Sequence, residues 1–529
     1  MSSSSSLFPL DSPRLGRRSF LGASSSMLAA LGMGRVLAQG VREKPSFPDY
    51  PFQLGVASGD PAADGFVLWT RLAPQPLAGG GMPDESIWVH WRVAEDERMS
   101  KVVASGKEIA SPDWAHSVHV EVTGLRPDRW YWYEFKAGAE ISQRGRTRTL
   151  ERPDRPAEET SVLKMAFASC QHFESGFFTA YQHMLAESPD IVFHLGDYIY
   201  EGPGSEGKVR KHLGAEIMTL ADYRNRHAQY KTDTALQAMH QAAPWVVTWD
   251  DHEFDNNCAG DLSEKPNVDV ASFLQRRAAA YQAYYEHMPL RVACVPKGPG
   301  MQLYRTIRHG GLVDFQVLDT RQFRTDQPNG DGTKALGQDA LRPDATMLGS
   351  AQKQWLMSEL TRSRATWNVL AQQVMMARVD RQKGPEEKCS MDQWPGYEVE
   401  RQSIVNAFRE LKVSNPMVLT GDIHTHWANE LITVPGQPDS PVAGCEFVCT
   451  SITSKGDGTA APAYLGDLMT ENPFVKHHSD RRGYVSCTID SKIWRADYRA
   501  IDFVSRPGAE LKTAASFIVE SGRSALVPV

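Results

Sequence analysis

From residue 161 onward the chain alternates between two kinds of segment, and this alternation restricts its architecture more than any other feature. Short apolar runs ("VLKMAFASC", "DIVFHLGD", "PWVVTWDDHE", "LVDFQVLDTR", "WNVLAQQV", "PMVLTGDIHTHW", "EFVCTSI") are separated by longer amphipathic stretches such as 271–287 and 350–363. The apolar runs read as buried strands and the amphipathic ones as helices. Strands alternating with helices imply an α/β or layered α/β/α domain. There is no internal repeat, low-complexity tract or nucleotide-binding glycine loop.

Residues from about 46 to 140 follow a different pattern. Segments 65–72, 86–94, 116–125 and 130–138 are β-branched or aromatic runs with turn residues between them, so this region reads as all-β. "GLRPDRWYWYEF" resembles the tyrosine corner of immunoglobulin-like sandwiches, with Leu125, Pro127 and Tyr131 near a strand start. The charged stretch 151–160, with two prolines, reads as a linker. A chain of 529 residues that is 41% hydrophobic and 23% charged has room for both regions and a large core.

The first residues have the layout of an export signal. Arg17 and Arg18 precede an apolar run and then Val36-Leu37-Ala38, and "RRSFLG" fits the twin-arginine pattern. The run is too short and too rich in Gly and Ser to serve as a membrane anchor. Cleavage after Ala38 is expected, defining a signal peptide over 1–38. It removes Arg14, Arg17, Arg18, Arg35 and Asp11, a net +3, so the net charge of −7 becomes −10. With a pI near 6.2 there is no electrostatic case for nucleic acid. Twin-arginine export carries folded proteins, and loading a metal before export is one physical reason to fold first. The seven cysteines are odd in number and include no CxxC, so a disulfide scaffold is not expected, although one or two bridges are possible in the periplasm.

The ends of the expected strands are chemically unusual. The first ends in Cys170, followed by Gln171-His172. The second ends in Asp197, with Tyr200 three residues on. The third gives Asp250-Asp251-His252-Glu253, then Asp255-Asn256-Asn257. The fourth gives Asp319-Thr320-Arg321, and a later one Asp422, His424 and His426. In open α/β sheets ligands bind outside the carboxyl ends of the strands, so these groups are expected to converge. Asp, His, Asn and a thiolate suit cations of mixed softness. A helical turn after Asp197 would put Asp197 and Tyr200 on one side, where a phenolate suits iron(III) and Asp197 can bridge a second metal. Without a cation, so many carboxylates in one pocket would repel or protonate. Each residue has a plainer reading by itself: a helix cap for an aspartate, a core hydrogen bond for a histidine. Cys170 also reads as a nucleophile, but its flanks match no thiol-hydrolase signature. The joint pattern over five strands argues for one site.

"FQLGVASGDPAADGFVLWTRLAP", "FASCQ", "HLGDYIYE", "WDDHEFDNN", "LDTRQFR", "WNVLAQQVMM", "DQWPGY", "LTGDIHTHW", "EFVCTSITS" and "RRGYV" resemble, in order, the successive blocks of the alkaline phosphatase D (PhoD) family. The resemblance spans nearly all of the chain after residue 38. It implies an α/β protein with an N-terminal immunoglobulin/fibronectin-like β-sandwich over 46–150. A four-layer α/β/β/α metallophosphatase domain, similar to purple acid phosphatases, would cover 161–529. It implies an exported hydrolase, periplasmic or secreted, that cleaves phosphate mono- and diesters with iron(III) and calcium. On the matching positions, Cys170, Asp197 and Tyr200 would hold iron, with Asp197 bridging to calcium. Asp251, Asn256, Asp422 and His424 match the other positions around the cluster; their division between the metals stays open, as does Asn257 in place of Asn256. His426 stands where the family has an aromatic residue, and Cys449 where it has glycine, so neither receives a role.

Hydrolysis by a metal-activated hydroxide would leave two tasks to side chains. His252 would position substrate or protonate the leaving oxygen, with a hydrogen bond to a metal-binding carboxylate as its plainer role. Arg321 would contact phosphate, or else form a salt bridge to a loop acid. The expected partners are a phosphate-ester substrate and the twin-arginine machinery, with the mature protein a monomer lacking a membrane span. The rival readings are a non-catalytic cell-wall-polymer binding protein and a redox iron protein; turnover of chromogenic phosphate esters separates them.

Overall fold

The structure is a computed structural model that describes residues 40–437, 439–459 and 461–529. The expected signal segment 1–38 lies outside the described residues.

The four N-terminal strands expected from the β-branched and aromatic runs are present within a few residues, and Val102–Ala110, Glu140–Ile141 and Gly145–Arg148 are strands that those runs did not include. Gly65–Arg71, Ser117–Val122 and an additional strand, Val56–Ala62, form one antiparallel layer. Ile87–Ala94, Val102–Ala110 and Trp130–Ala137 form the facing one, with Glu140–Ile141 and Gly145–Arg148 paired to the last. Phe52, Phe66, Val89, Tyr133 and Phe135 fill the space between the layers and are fully buried. The tyrosine corner is present: the Tyr131 hydroxyl donates to Arg126 O at 3.2 Å and accepts from Arg126 N at 3.0 Å.

The first layer does not stop at the sandwich. Gly59 pairs in parallel with Trp245, so Val56–Ala62 lies beside Trp245–Thr248 and the layer continues into a ten-stranded sheet. A side chain at Gly59 would meet Trp245 O at 2.7 Å and Pro289 O at 2.5 Å, so only glycine permits the approach. Beyond Trp245–Thr248 the sheet runs through Ile191–Leu195 and Leu163–Ala168, then through Arg482–Ile489, Ile493–Ile501, Leu511–Glu520 and Val527–Pro528.

A seven-stranded sheet lies against it, in the order Arg305–His309, Val313–Val317, Trp367–Ala371, Pro416–Thr420, Val442–Val448, His426–Ile432, Val475–Ser479. The sheets meet through Phe193 against Phe315 at 4.6 Å and Trp367 edge-on to Trp494 at 5.8 Å. All four rings are fully buried, and burying one contributes about 2–3 kcal/mol. Helices Thr179–Glu187, Leu220–Lys231, Thr234–Ala242 and Val270–His287 cover the outer face of the first sheet. Gly349–Arg362, Glu398–Glu410 and Leu465–Glu471 cover the outer face of the second. The result is the four-layer α/β/β/α arrangement expected, beside a sandwich.

The site follows from strand direction. Leu163–Ala168, Ile191–Leu195 and Trp245–Thr248 are parallel to one another, and so are Val313–Val317, Trp367–Ala371 and Pro416–Thr420. Their carboxyl ends come together where a bridge between Ser169 and Ser451 joins the loops of the two sheets. Gly421 fits against the Ser169 side chain there, where an added Cβ would lie 2.8 Å from Ser169 Cβ.

Candidate metal centre

Three groups of ligand-type atoms overlap at these strand ends. Cys170, Asp197 and His424 each place one ligand atom within 4.8 Å of the others; so do Asp197, Asp251 and His252, and so do Asp250, Asp251 and Asp422. Asp197 is shared by the first two groups and Asp251 by the last two, so the clusters form one chain. Tyr200 joins them through its hydroxyl, which donates to Asp197 Oδ2 at 2.7 Å and lies 2.6 Å from Ser454 Oγ and 3.2 Å from His424 Nε2.

The backbone that delivers these groups is bent the same way each time. Cys170, Asp197, Asp422 and His424 have φ of 59°, 57°, 60° and 64°, in the left-handed region that side-chain-bearing residues rarely adopt. Each such residue costs about 1–3 kcal/mol unless its surroundings hold it there. The surroundings do. The buried Glu253 carboxylate accepts the backbone N–H groups of Asp197, Tyr198 and Asp250. Cys170 N donates to Gly196 O at 3.0 Å, and Gln171 N to Asp197 O at 3.0 Å. Asp197 and Tyr200 therefore meet through a left-handed turn rather than the helical turn expected from their spacing.

Burial dominates the electrostatics. It pushes Asp197 up to about 7, with Asp251 adding to the rise, and Glu253 up to about 8. Burial, then the Asp197 charge, raises the Cys170 thiol and the Tyr200 phenol well above their ordinary values. Burial likewise drops His424 to about 3. Asp251 is the exception: burial opposes its charge, but Arg321 and His252 hold it well below the usual carboxylate range. By itself the protein therefore favours a protonated thiol and phenol beside an Asp197 that is only partly ionised at neutral pH. Asp197 Oδ1, Asp250 Oδ2 and His424 Nδ1 are buried with no partner among the described residues. Unpartnered buried acceptors beside a thiol and a phenol are what a bound cation would satisfy, so the residues present fit a metal centre.

Two charged residues beside the cluster organise it. Arg321 is fully buried and engages Asp250, Asp392 at 3.0 Å and Asp422 at 3.1 Å, with Asp251 at 3.7 Å. Its fork is filled by carboxylates, the salt-bridge alternative of the sequence reading, and it supplies their counter-charge. Glu201, which the sequence does not single out, accepts from His252 Nδ1 at 2.7 Å and from Asn256 N at 3.1 Å. The pair sets the His252 ring against Tyr200 at 4.2 Å. Burial opposes a charge on His252, but Glu201, Asp197 and Asp251 outweigh it and hold the ring's pKa well above its ordinary value.

Asn256 lies in the loop beside the cluster. Asn257 N donates to Asp251 Oδ2 at 2.7 Å, while its side-chain amide is turned to Asp331. His426 stands apart, its Nδ1 accepting from Thr450 N at 3.1 Å. Cys449 is buried with its sulfur 3.4 Å from Ser169 Oγ, and Cys170 reaches the same hydroxyl at 3.2 Å. All seven cysteines are free thiols. Asp392 carries no mark in the sequence beyond its block "DQWPGY", yet it binds both Arg321 and Arg324.

Comparison with known proteins gives consistent matches. The model of the PhoD-like phosphatase family matches residues 165–498, and that of the PhoD-like phosphatase N-terminal domain matches residues 38–151. Alkaline phosphatase D of Bacillus subtilis (strain 168) is 49% identical over 522 residues, covering 96% of this chain and 88% of that protein. A solved structure of PhoD superimposes with a TM-score of 0.89 at 50% identity, covering 92% of this chain and 93% of the other.

Proposed function

Because this chain belongs to the PhoD-like phosphatase family, and is therefore a phosphoric ester hydrolase, we propose that the strand-end cluster is its catalytic metal centre, holding iron(III) and calcium. The observation that carries this reading is the overlap of three ligand groups around the unpartnered oxygen of Asp197. Cys170, Asp197 and Tyr200 would hold iron(III), whose Lewis acidity suits thiolate and phenolate. Asp251, Asn256, Asp422 and His424 would complete the cluster, their mostly oxygen donors suiting calcium. When bound, such cations acidify a water and neutralise the phosphate oxygens.

The remaining work falls to this chain's side chains. Arg321 keeps Asp250, Asp251 and Asp422 close together by supplying the positive charge they share. Glu201 fixes the Nδ1 side of His252, which leaves Nε2 as the atom that carries a proton toward a leaving oxygen. The His252 side chain keeps 20% of its surface exposed, so it sits at the mouth of the centre. Glu253 and Gly196 hold the Asp197 turn rigid, which keeps the ligands preorganised.

The same proposal includes twin-arginine export to the periplasm or medium with cleavage after Ala38, a sandwich unit over 46–150, a catalytic unit over 161–529, and a monomer. No helix among the described residues is long and apolar enough to cross a membrane. Purified protein should release 4-nitrophenol from 4-nitrophenyl phosphate and from its bis ester. Chelation should abolish turnover, and calcium alone should restore it while iron stays bound. Full activity in chelated, calcium-free protein overturns the calcium assignment, and elemental analysis without iron overturns the other.

A further inference from the structure

Arg381 lies between the strands Trp367–Ala371 and Lys388–Ser390, its backbone N–H donating to Lys388 O at 2.7 Å. Its guanidinium carbon sits 5.0 Å from the centre of the Trp427 ring. Trp427 is fully buried, and its indole N–H donates at 2.7 Å to Thr425, the residue after His424. His478 stands edge-on to Trp427 at 4.4 Å, and Tyr464 lies 5.7 Å from His478. A guanidinium, an indole face, an imidazole and a half-exposed phenol thus gather beside the Asp422–His424 loop.

Two features of this group lack an internal explanation. Nearby arginines have acid partners: Arg321 and Arg324 have Asp392, Arg378 has Glu387 and Glu398, and Arg401 has Glu398. Arg381 is half-buried yet pairs with no carboxylate among the described residues. Burial lowers its pKa, and Tyr464, Cys389 and Asp422 offset this only from a distance. His478 is 7% exposed, and both of its ring nitrogens are buried without a partner among the described residues. A cation removed from water without a counter-ion is costly, and so are two unsatisfied ring nitrogens. An anion placed there pairs with the cation and accepts from one of the two ring nitrogens, since the planar fork of arginine matches carboxylate and phosphate oxygens and a neutral imidazole has one N–H to donate.

We propose that Arg381 is a specificity-determining residue that binds a second anionic group, a carboxylate or a phosphate, on the arm of the ester remote from the scissile phosphorus. The proposal rests on the phosphatase reading of the adjoining centre. His478 and Tyr464 complete the subsite as neutral hydrogen-bonding groups, and Trp427 forms its floor. Esters with a charged arm are therefore preferred over esters with an apolar one.

Three diesters with the same 4-nitrophenolate leaving group and an ethyl, 2-carboxyethyl or 2-phosphonoethyl arm test this. The wild type should show kcat/KM about tenfold higher for one or both charged arms than for ethyl, the effect of one charge-assisted hydrogen bond. The two charged arms distinguish carboxylate from phosphate as the group recognised. R381M should bring the ratio to about one. R381K, which keeps the charge and loses the planar fork, should lower the ratio without erasing it, and carries the test if R381M fails to fold. High salt should shrink the wild-type ratio. A wild type without preference, a preference that survives R381M, or an equal loss on all three diesters in R381M overturns the proposal; the last would put Arg381 at the scissile phosphate. A wild type that hydrolyses none of the diesters refutes the phosphodiesterase reading instead.

Discussion

Four ligand-type residues in left-handed backbone, Cys170, Asp197, Asp422 and His424, describe a site built at a local cost. That cost is met by groups packed around the ligand-type residues: Glu253 under the Asp197 turn, Arg321 among the aspartates, Glu201 behind His252. Tyr200→Phe isolates one ligand-type oxygen from this framework, because the ring's place in the core is kept. If the phenol binds iron(III), the pure wild-type protein should be coloured. The variant should then shift or bleach the visible band and lose at least about tenfold in turnover, with a stability loss near 1 kcal/mol for the missing hydrogen bond. Unchanged colour and activity would reduce Tyr200 to a packing residue. The aspartates, Cys170 and His424 were legible in the sequence because the end of a strand is a place, and chemistry repeated at several such ends implies a shared one. Glu201 and Asp392 were not legible: each meets its partner across 50 or more positions, and no local pattern encodes that choice. Arg321 was legible as part of the site, but the choice between its two readings was not, because its burial is set by the acids around it.

At the scale of elements, what matters is how closely the strand ends approach. Gly196 has φ of 107°, and a side chain there would lie 2.4 Å from Asp250 Cβ and 2.7 Å from Asp250 N. Gly196→Ala therefore combines backbone strain with a clash against a rigid neighbour and should cost about 3 kcal/mol. Urea unfolding measures the loss, and metal content should fall with it because the Asp197 turn is displaced. A variant of wild-type stability would mean that the two ends can move apart without penalty. The helices 271–287 and 350–363 and the strands of both regions were readable from hydrophobic period; the structure moves the bounds of the helices and expected sandwich strands by no more than three residues, and those of several later runs by four or more. Val56–Ala62 was less readable, because "VASGDPA" holds a glycine and a proline and becomes a strand only through its neighbours Gly65–Arg71 and Trp245–Thr248.

The whole molecule is joined across the boundary that the proline-rich stretch 151–160 suggests. His119, on the sandwich strand Ser117–Val122, stacks on Tyr285 at 4.3 Å, and its Nε2–H donates to Tyr285 O and Met288 O at 2.9 and 3.0 Å. Burial lowers its pKa to about 4, with the two carbonyls opposing. The unfolded chain takes up this proton near pH 6.5 and the folded one only near 4. Stability from this group is thus complete above 6.5 and falls as pH drops from 6.5 to 4, by at most about 3 kcal/mol. Urea unfolding at pH 7 and pH 4.5 should show a larger drop for the wild type than for His119→Gln, and equal drops would exclude His119 as the source. The ten-stranded sheet also sets a timetable. Leu163–Ala168 pairs on one side with Arg482–Ile489, which leaves the ribosome roughly 300 residues later. At ordinary rates of synthesis its hydrogen-bonding edge stays bare for roughly 15–60 s, during which the nascent chain is open to mispairing with any other strand.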